Sequence, residues 1–302
     1  MRSFEYVAAR TVEEAVEALV SSDGVARPIA GGTDLVVQLT EGRRSVDRLV
    51  DIGSVGALRG VEFDDRGGLR LGAATPCVDI YSHVGLRRAF PILVDGTSII
   101  GSVQIQSRAT VGGNLCNAAP SADSVPALIC LDAEAVVEGP KGRRKVPVAS
   151  FCTGPGQTVL ERGELLTALE IRPPAANEGG NYQRFTPRNE MDIAVAGAGA
   201  LVRIDPKTGV VVHARIALSS VAPTPLRVPQ AEEALVGREP TPEAIDEAAA
   251  RAMAAARPIS DVRGSADFRR HLVSVLVRRT LLVALERAGA AIDYPKGGAA
   301  VG

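Results

Sequence analysis

The chain has 302 residues, of which 46% are hydrophobic and 23% are charged, and its formal net charge is −1. This composition is typical of a globular protein long enough for two domains. The near-neutral charge, the low aromatic content of 3% and the lack of Trp argue against nucleic-acid binding, which needs a basic surface or stacking side chains.

Neither a membrane span nor a metal site is predicted. No window holds the roughly 18 apolar residues of a transmembrane helix, and charges interrupt the first twenty residues, unlike a signal peptide. The four cysteines form no CxxC pair and the three histidines are scattered, so we expect no zinc or iron–sulfur site built from this chain. A reducing, cytoplasmic location is the corresponding expectation.

Short helices and strands alternate in the first half of the chain. Thr11 and Glu14 form a capping box that predicts a helix over residues 11–20. Strands are predicted over 27–32, 47–52, 69–76, 133–139 and 164–174, and helices after Thr75-Pro76, over 86–99 and over 124–131. The basic stretch KGRRKV, residues 141–146, lies between strand-like runs and is interpreted as a solvated hairpin.

The second half begins with strands and ends with helices. The loop-like stretch RPPAANEGGN, residues 172–181, predicts a domain boundary. Two apolar runs over 193–205 and 209–222, joined by PKTG, predict a hairpin. Helical patterns follow over 228–237, 241–257 and 266–289. Strands followed by helices indicate a second domain of the α+β class.

Two glycine-bearing stretches are the first candidates for a binding site. PIAGGTDLVV, residues 28–37, reads as a buried strand interrupted by Gly-Gly-Thr-Asp. TVGGN, residues 110–114, also has a strand-like lead-in and is followed by Asn117 and Asp123. Backbone N–H groups at adjacent glycines can form a nest for phosphate oxygens, and Thr or Asn adds neutral donors. Two such nests suit a ligand with two phosphates, although each stretch alone could be an ordinary turn.

Other catalytic and phosphate signatures are absent. The sequence contains no GxxxxGK[ST] or GxSxG motif. The GAGA of residues 197–200 lacks the third glycine of a dinucleotide fingerprint and continues as strand. Cys116 lies beside the second glycine stretch and is interpreted as a small apolar filler rather than a nucleophile.

A third candidate stretch is RFTPRNEMDIAVAG, residues 184–197. Arg184, Arg188 and Asp192 are polar groups placed just before a buried run. They form either a salt-bridged entry to a strand or one wall of a ligand cavity at the domain junction.

Together these stretches resemble the FAD-binding medium subunit of the xanthine dehydrogenase and carbon monoxide dehydrogenase family of molybdenum hydroxylases. The family's AGGxxL motif is matched by residues 30–35, its TxGGN motif by residues 110–114, and the following DxxPAL by residues 123–128. An arginine-rich segment ending in Asp-Ile-Ala is matched at residues 192–194, and the segment 265–281 is similar to the family's last helix. The resemblance covers residues 3–288.

The resemblance implies an FAD site but no acid or base catalyst in this chain. The pyrophosphate would be held by Ile29, Ala30, Gly31, Gly32, Thr33, Asp34 and Leu35 and by Thr110, Val111, Gly112, Gly113 and Asn114. Asn117 and Asp123 would contact the ribityl or adenosine portions, and Ile100 and Gly101 the adenosine side. Arg184 and Ile193 would lie near the isoalloxazine ring. We expect Asp34 to point to a hydroxyl or a backbone N–H, because two anions repel. Some members of the family have an aromatic residue where this chain has Ile193.

The implied fold is α+β. A two-part FAD-binding domain of the vanillyl-alcohol-oxidase (PCMH) type would cover residues 1–175, with subdomains of about 1–58 and 59–175. A CO dehydrogenase flavoprotein C-terminal-like domain, an antiparallel sheet with a helical bundle, would cover 180–288, and 289–302 would be a disordered tail.

The implied function is electron transfer within a heteromeric enzyme. FAD would belong to this chain, and the iron–sulfur clusters and molybdopterin to a small and a large partner subunit in a dimer of heterotrimers. The substrate (purine, N-heterocycle, aldehyde or carbon monoxide) and the final acceptor stay open. Two alternatives also stay open: a stand-alone flavin oxidase of the vanillyl-alcohol type and a flavin-free scaffold subunit.

Overall fold

The computed structural model describes residues 2–294, whose strands form three sheets and one two-stranded hairpin. The strands are β1 (Glu5–Ala8), β2 (Ala26–Ile29), β3 (Arg48–Asp51), β4 (Val61–Phe63), β5 (Leu69–Gly72), β6 (Glu134–Gly139), β7 (Gly142–Pro147), β8 (Cys152–Gly154), β9 (Gln157–Thr158), β10 (Leu165–Ile171), β11 (Glu178–Phe185), β12 (Ala196–Ile204), β13 (Val211–Ser219) and β14 (Leu226–Arg227). The helices are α1 (Val12–Val20), α2 (Leu35–Thr40), α3 (Cys77–Ser82), α4 (Val84–Ala89), α5 (Pro91–Thr97), α6 (Val103–Gln106), α7 (Val111–Asn117), α8 (Ser124–Cys130), α9 (Pro229–Glu233), α10 (Pro242–Ala255) and α11 (Ala266–Arg287).

The N-terminal part is a small parallel sheet in the order β1-β3-β2. Its helix α1 begins at the predicted capping box: the Thr11 hydroxyl accepts from the Glu14 N–H, and the Glu14 carboxylate accepts from the Arg10 N–H. Val50 and Leu19 are buried in the core that joins this sheet to α1. The loop that leaves β2 at the sheet edge is the first glycine stretch.

The middle part is a five-stranded antiparallel sheet in the order β4-β5-β10-β6-β7, covered by helices α3 to α8. Leu71, Leu93, Leu128 and Leu169 are buried in its core. The predicted hairpin at 141–146 is confirmed as β6–β7, with Arg144 bonded to Glu164 at its edge. The second glycine stretch forms the start of α7.

The C-terminal part is the antiparallel sheet β11-β12-β13-β14, with α11 packed on it and α10 packed on α11 and α9. The predicted α+β fold, with a larger N-terminal part followed by a smaller part of antiparallel sheet and helices, is therefore confirmed. The glycines of the GAGA stretch lie in β12, as the strand interpretation requires. A Cβ atom at Gly199 would lie 3.3 Å from the Cys130 Sγ of α8, so glycine allows α8 to pack closely on the sheet.

Several expectations for individual segments were wrong. The apolar run after Gly31-Gly32 is the helix α2 and not a continued strand, and Val36 and Val37 are exposed. Strand β11 occupies part of the predicted boundary loop, so Arg184 lies inside a strand rather than before one. The stretch before Thr110 is helix α6 followed by an isolated bridge to Pro76, not a strand. Strands are favoured there only by local composition, and tertiary contacts override it.

The predicted tail differs from expectation where it can be seen. Ala290, Ile292 and Tyr294 pack against the core of the C-terminal part, and the Tyr294 hydroxyl donates to Asp246 at 2.7 Å. Residues 295–302 of that prediction lie outside the described residues. Within residues 2–294, no helix has the length and apolarity needed to cross a bilayer, and no cluster of His, Cys, Asp or Glu is placed to hold a metal ion.

Candidate cofactor site

The first glycine loop lies directly against the second. A Cβ atom at Gly31 would lie 2.0 Å from the carbonyl oxygen of Arg108 and 3.1 Å from the Cα of Ala109. Those two residues immediately precede Thr110 in the chain. Glycine at position 31 therefore permits a backbone-to-backbone approach that brings the two predicted nests side by side.

The backbone around Gly32 leaves its amide groups without internal partners. Gly32 has a φ of +73°, a left-handed conformation that costs other residues about 1–2 kcal/mol. Among the described residues, no backbone acceptor pairs with the N–H groups of residues 31–34. Residues 31–33 are half-buried and Asp34 is exposed, so this run of amides is accessible and fits a ligand with several anionic oxygens.

The second glycine loop is the first turn of α7. The Thr110 hydroxyl accepts from the Gly113 N–H at 2.9 Å and so caps the helix. A Cβ atom at Gly112 would lie 2.4 Å from the Ala73 carbonyl oxygen, which explains glycine there by close packing. The N–H groups of Val111 and Gly112 find no backbone acceptor in the described part of the chain. They add donors beside the first loop.

Two asparagine side chains hold this frame together. The Asn117 Oδ1 accepts from the Gln38 Nε2 of α2 at 3.1 Å, which ties the two glycine loops through their helices. The Asn114 Oδ1 accepts from the Ser124 hydroxyl at 2.7 Å and from its N–H at 3.4 Å, at the start of α8. Both carboxamide oxygens thus accept hydrogen bonds within the protein, while neither Nδ2 group has an acceptor among the described residues.

Asp34 ends the first glycine loop. It is the residue before α2, but its carboxylate makes no capping hydrogen bond. The expectation that this carboxylate points to a hydroxyl or a backbone N–H stays a prediction. Neighbouring protein atoms partly desolvate this carboxyl and raise its pKa.

A buried polar cluster joins the site to the C-terminal part. Asp123 is 6% exposed and pairs with the Nη1 of Arg184, while its Oδ1 accepts from the Tyr182 hydroxyl at 2.8 Å. Burial raises the pKa of Asp123 to about 6, against the lowering influence of Arg184 and Tyr182. The Nη2 of Arg184 is buried and has no hydrogen-bond partner among the described residues. A buried donor of this kind calls for an acceptor supplied from outside the protein.

The segment after β11 closes against the loop at Gly101. The Met191 N–H donates to the Gly101 carbonyl oxygen at 3.3 Å. Gly101 itself has a left-handed φ of +59°. Ile193 follows and is 48% exposed, so an aliphatic side chain stands at the surface there. Arg188 is exposed and pairs at 3.6 Å with the half-buried Asp192, which agrees with the salt-bridge interpretation for these two residues, whereas Arg184 pairs with Asp123.

The sequence interpretation missed Tyr182, Ser219 and Gln38. Tyr182 donates to Asp123 and contacts the Ser219 hydroxyl at 3.1 Å. Alternation along a strand could have identified Tyr182, because residues two apart share one face and Arg184 was already a candidate. Nothing local in the sequence marks Ser219 or Gln38. Cys116 agrees with its interpretation as a filler, since burial raises the pKa of its thiol to about 12.

Two known protein families match this chain. The model of the family described as "FAD binding domain in molybdopterin dehydrogenase" matches residues 2–174. A second family, described as "CO dehydrogenase flavoprotein C-terminal domain", matches residues 181–284. Both glycine loops lie within the first match, and the Asp123–Arg184 pair joins the first match to the second.

Individual relatives are similar over nearly their whole length. The xanthine dehydrogenase FAD-binding subunit of Escherichia coli O157:H7 is 34% identical over 288 residues, covering 94% of this chain and 97% of the relative. The carbon monoxide dehydrogenase medium chain of Hydrogenophaga pseudoflava is 33% identical, covering 94% and 98%.

Solved structures show the same fold. A carbon monoxide dehydrogenase from Hydrogenophaga pseudoflava, lacking the Mo-pyranopterin moiety of its molybdenum cofactor, superposes with a TM-score of 0.90 at 34% identity over 95% of this chain and 98% of that chain. Quinoline 2-oxidoreductase from Pseudomonas putida 86 gives a TM-score of 0.88 at 28% identity, over 96% and 99%. The chain therefore belongs to the family of FAD-binding medium subunits of molybdenum hydroxylases.

Proposed function

We propose that this chain holds FAD in the cleft between its two glycine loops. The diphosphate would lie against the N–H groups of residues 31–34 and 111–112, and the isoalloxazine ring would extend toward Arg184 and Ile193. The observation that carries the proposal is the contact of Gly31 with the backbone at Arg108, because it brings the unpaired amides of both loops together. Oriented amides and helix starts are favourable environments for such oxygens.

The residues around the cleft bind and orient and do not act as acids or bases. When bound, FAD supplies one-electron and two-electron redox chemistry. The chain would contribute neutral backbone donors at the diphosphate, a guanidinium nitrogen at the junction and an apolar side chain, Ile193, at the open edge. Electrons would come from iron–sulfur clusters of a partner subunit and leave to a final acceptor.

The proposed assembly follows from the relatives. Their printed names describe subunits or medium chains of larger dehydrogenases, which supports a multi-subunit enzyme. We extend this to an iron–sulfur small subunit and a molybdopterin large subunit in a dimer of heterotrimers. The cytoplasmic location stays a prediction from composition.

The test is the visible absorption spectrum of the purified, desalted full chain, with chromatography of the released flavin. We expect a flavin spectrum and FAD as the released compound. Gly32→Ala should lose FAD, because it adds left-handed strain and places a Cβ atom 3.0 Å from the Ile29 Cδ1.

Gly42→Ala is the matched control, since Gly42 has a φ of +71° but no neighbour within 4 Å. It should keep FAD at a similar cost in backbone strain. A wild-type chain that binds no FAD even in excess, alone or with its partner subunits, would contradict the proposal and favour the scaffold alternative.

A further inference from the structure

The buried cluster at the junction contains more groups than an ion pair needs. Asp123 receives Arg184 on one carboxylate oxygen and the Tyr182 hydroxyl on the other. The Tyr182 oxygen in turn lies 3.1 Å from the Ser219 hydroxyl. Burial raises the pKa of Tyr182 well above its usual value, so its hydroxyl stays protonated and can donate.

The space for this arrangement comes from a glycine. A Cβ atom at Gly197 of β12 would lie 2.3 Å from the Ser219 Oγ and 2.5 Å from the Tyr182 hydroxyl. The cluster takes its side chains from β11, β13 and the start of α8, and Gly197 of β12 leaves the space for them. Arg184 ends the cluster with one guanidinium nitrogen paired and the other, Nη2, buried and unpaired.

The unpaired Nη2 of Arg184 accompanies an Asp123 carboxylate whose two oxygens have different partners. Arginine and a carboxylate ordinarily pair through two parallel hydrogen bonds. Here the Tyr182 hydroxyl donates to Oδ1, and Arg184 donates to Oδ2 through Nη1 alone, so the pairing has a single hydrogen bond. Leaving a buried donor unpaired is unfavourable unless a ligand accepts from it.

We propose that Tyr182, supported by Ser219, is a positioning residue that blocks bidentate pairing of Arg184 with Asp123 and so reserves the Nη2 of Arg184 for an acceptor atom of bound FAD. This inference rests on the proposed function. It assigns to Tyr182 and Ser219 a role that acts through Asp123 and Arg184. Without the phenol, the guanidinium would rotate onto both carboxylate oxygens and withdraw from the cofactor.

A purely structural role for Tyr182 is the competing explanation, because it also fastens the two parts of the chain. Its backbone N–H donates to the Asp95 carboxylate at 3.3 Å. Asp95 also accepts from the Asn181 amide at 2.6 Å and from Arg287 at 2.6 Å. Asp95 therefore fastens the same junction without touching Arg184, and Asp95→Asn serves as the matched control.

The experiment measures FAD affinity and the flavin midpoint potential in the full chain for wild type, Tyr182→Phe, Ser219→Ala and Asp95→Asn. Tyr182→Phe should weaken FAD binding about tenfold, the size of one charge-assisted hydrogen bond. It should also move the midpoint potential to a more negative value, because a cationic donor near the reduced flavin is lost. Ser219→Ala should give a smaller change in the same direction.

Asp95→Asn should lower the unfolding midpoint but leave the flavin potential at the wild-type value. Wild-type potential and affinity in Tyr182→Phe would overturn the inference, as would an equal potential shift in Asp95→Asn. Either result would leave the proposed FAD site standing. A wild-type chain without FAD would overturn both.

Discussion

The contact of Gly31 with Arg108 allows a direct test of how the two glycine loops depend on each other. In Gly31→Ala, the new Cβ atom would begin 2.0 Å from the Arg108 carbonyl oxygen. The nearest atoms, in Arg108 and Ala109, all belong to the backbone, so no side chain can rotate away from the new Cβ atom. The two loops must separate by about 1.4 Å to reach the 3.4 Å of ordinary contact. Overpacking of this kind costs about 1–3 kcal/mol.

The effect on FAD should be larger than the effect on stability. At about 2–4 °C per kcal/mol, the unfolding midpoint of the flavin-free chain should fall by about 2–12 °C. Separation of the loops would in addition take the diphosphate out of reach of one set of amides. Hydrogen bonds to charged groups contribute about 1.5–3 kcal/mol each, so FAD affinity should fall at least tenfold. Fluorescence titration of the flavin-free chain with FAD measures this.

Gly56→Ala is the control for the substitution itself, because Gly56 has no neighbour within 4 Å and lies outside the cleft. It should leave both the unfolding midpoint and FAD affinity close to wild type. If Gly31→Ala binds FAD as tightly as Gly56→Ala does, the two loops do not form one site, and the reasoning is refuted.

Two further predictions concern the polar residues around the cleft. The pKa of Asp123 is raised from 3.8 to about 6, so the folded state favours its protonated form; the flavin-free wild type should therefore lose on the order of 3 kcal/mol relative to Asp123→Asn as the pH rises through this window. Parallel stability–pH curves for the two proteins, from urea unfolding, would contradict it. Asn114→Ala should lose about 0.5–2 kcal/mol, because the Ser124 N–H and hydroxyl at the start of α8 lose their acceptor. Asn114→Asp keeps an acceptor oxygen and should lose less, so equal losses in thermal unfolding would show that this contact is not what stabilises α8.

The glycine motifs could be predicted from sequence, but not the structures that carry them. Adjacent glycines beside Thr or Asn indicate exposed amides wherever they occur, and the family resemblance fixed their order. Local composition predicts a strand at residues 35–40, because Leu-Val-Val favours strands. The structure has a helix there, and its two valines are exposed. The close approach of Gly31 to Arg108 joins residues far apart in the chain, which no local pattern reveals.

Only part of the buried cluster at the junction could be predicted from the sequence. Asp123 and Arg184 belong to recognisable motifs, whereas Ser219 is one serine at the end of an apolar strand. Its role depends on the pairing of β12 with β13, in which Gly197 lies opposite Ser219. The GAGA stretch illustrates the same limit: its glycines serve packing against α8 and space for Tyr182, and both reasons require the folded structure.

We propose that the two glycine loops hold the diphosphate of FAD. Calorimetric titration of the flavin-free chain with nucleotides tests this proposal directly. FAD and ADP both carry a diphosphate next to adenosine, whereas FMN carries a flavin with a single phosphate. The account predicts that FAD binds, that ADP competes with it, and that FMN binds far more weakly than either. Binding of FMN as tight as that of FAD, with no competition by ADP, would show that the flavin alone is recognised and would contradict the account.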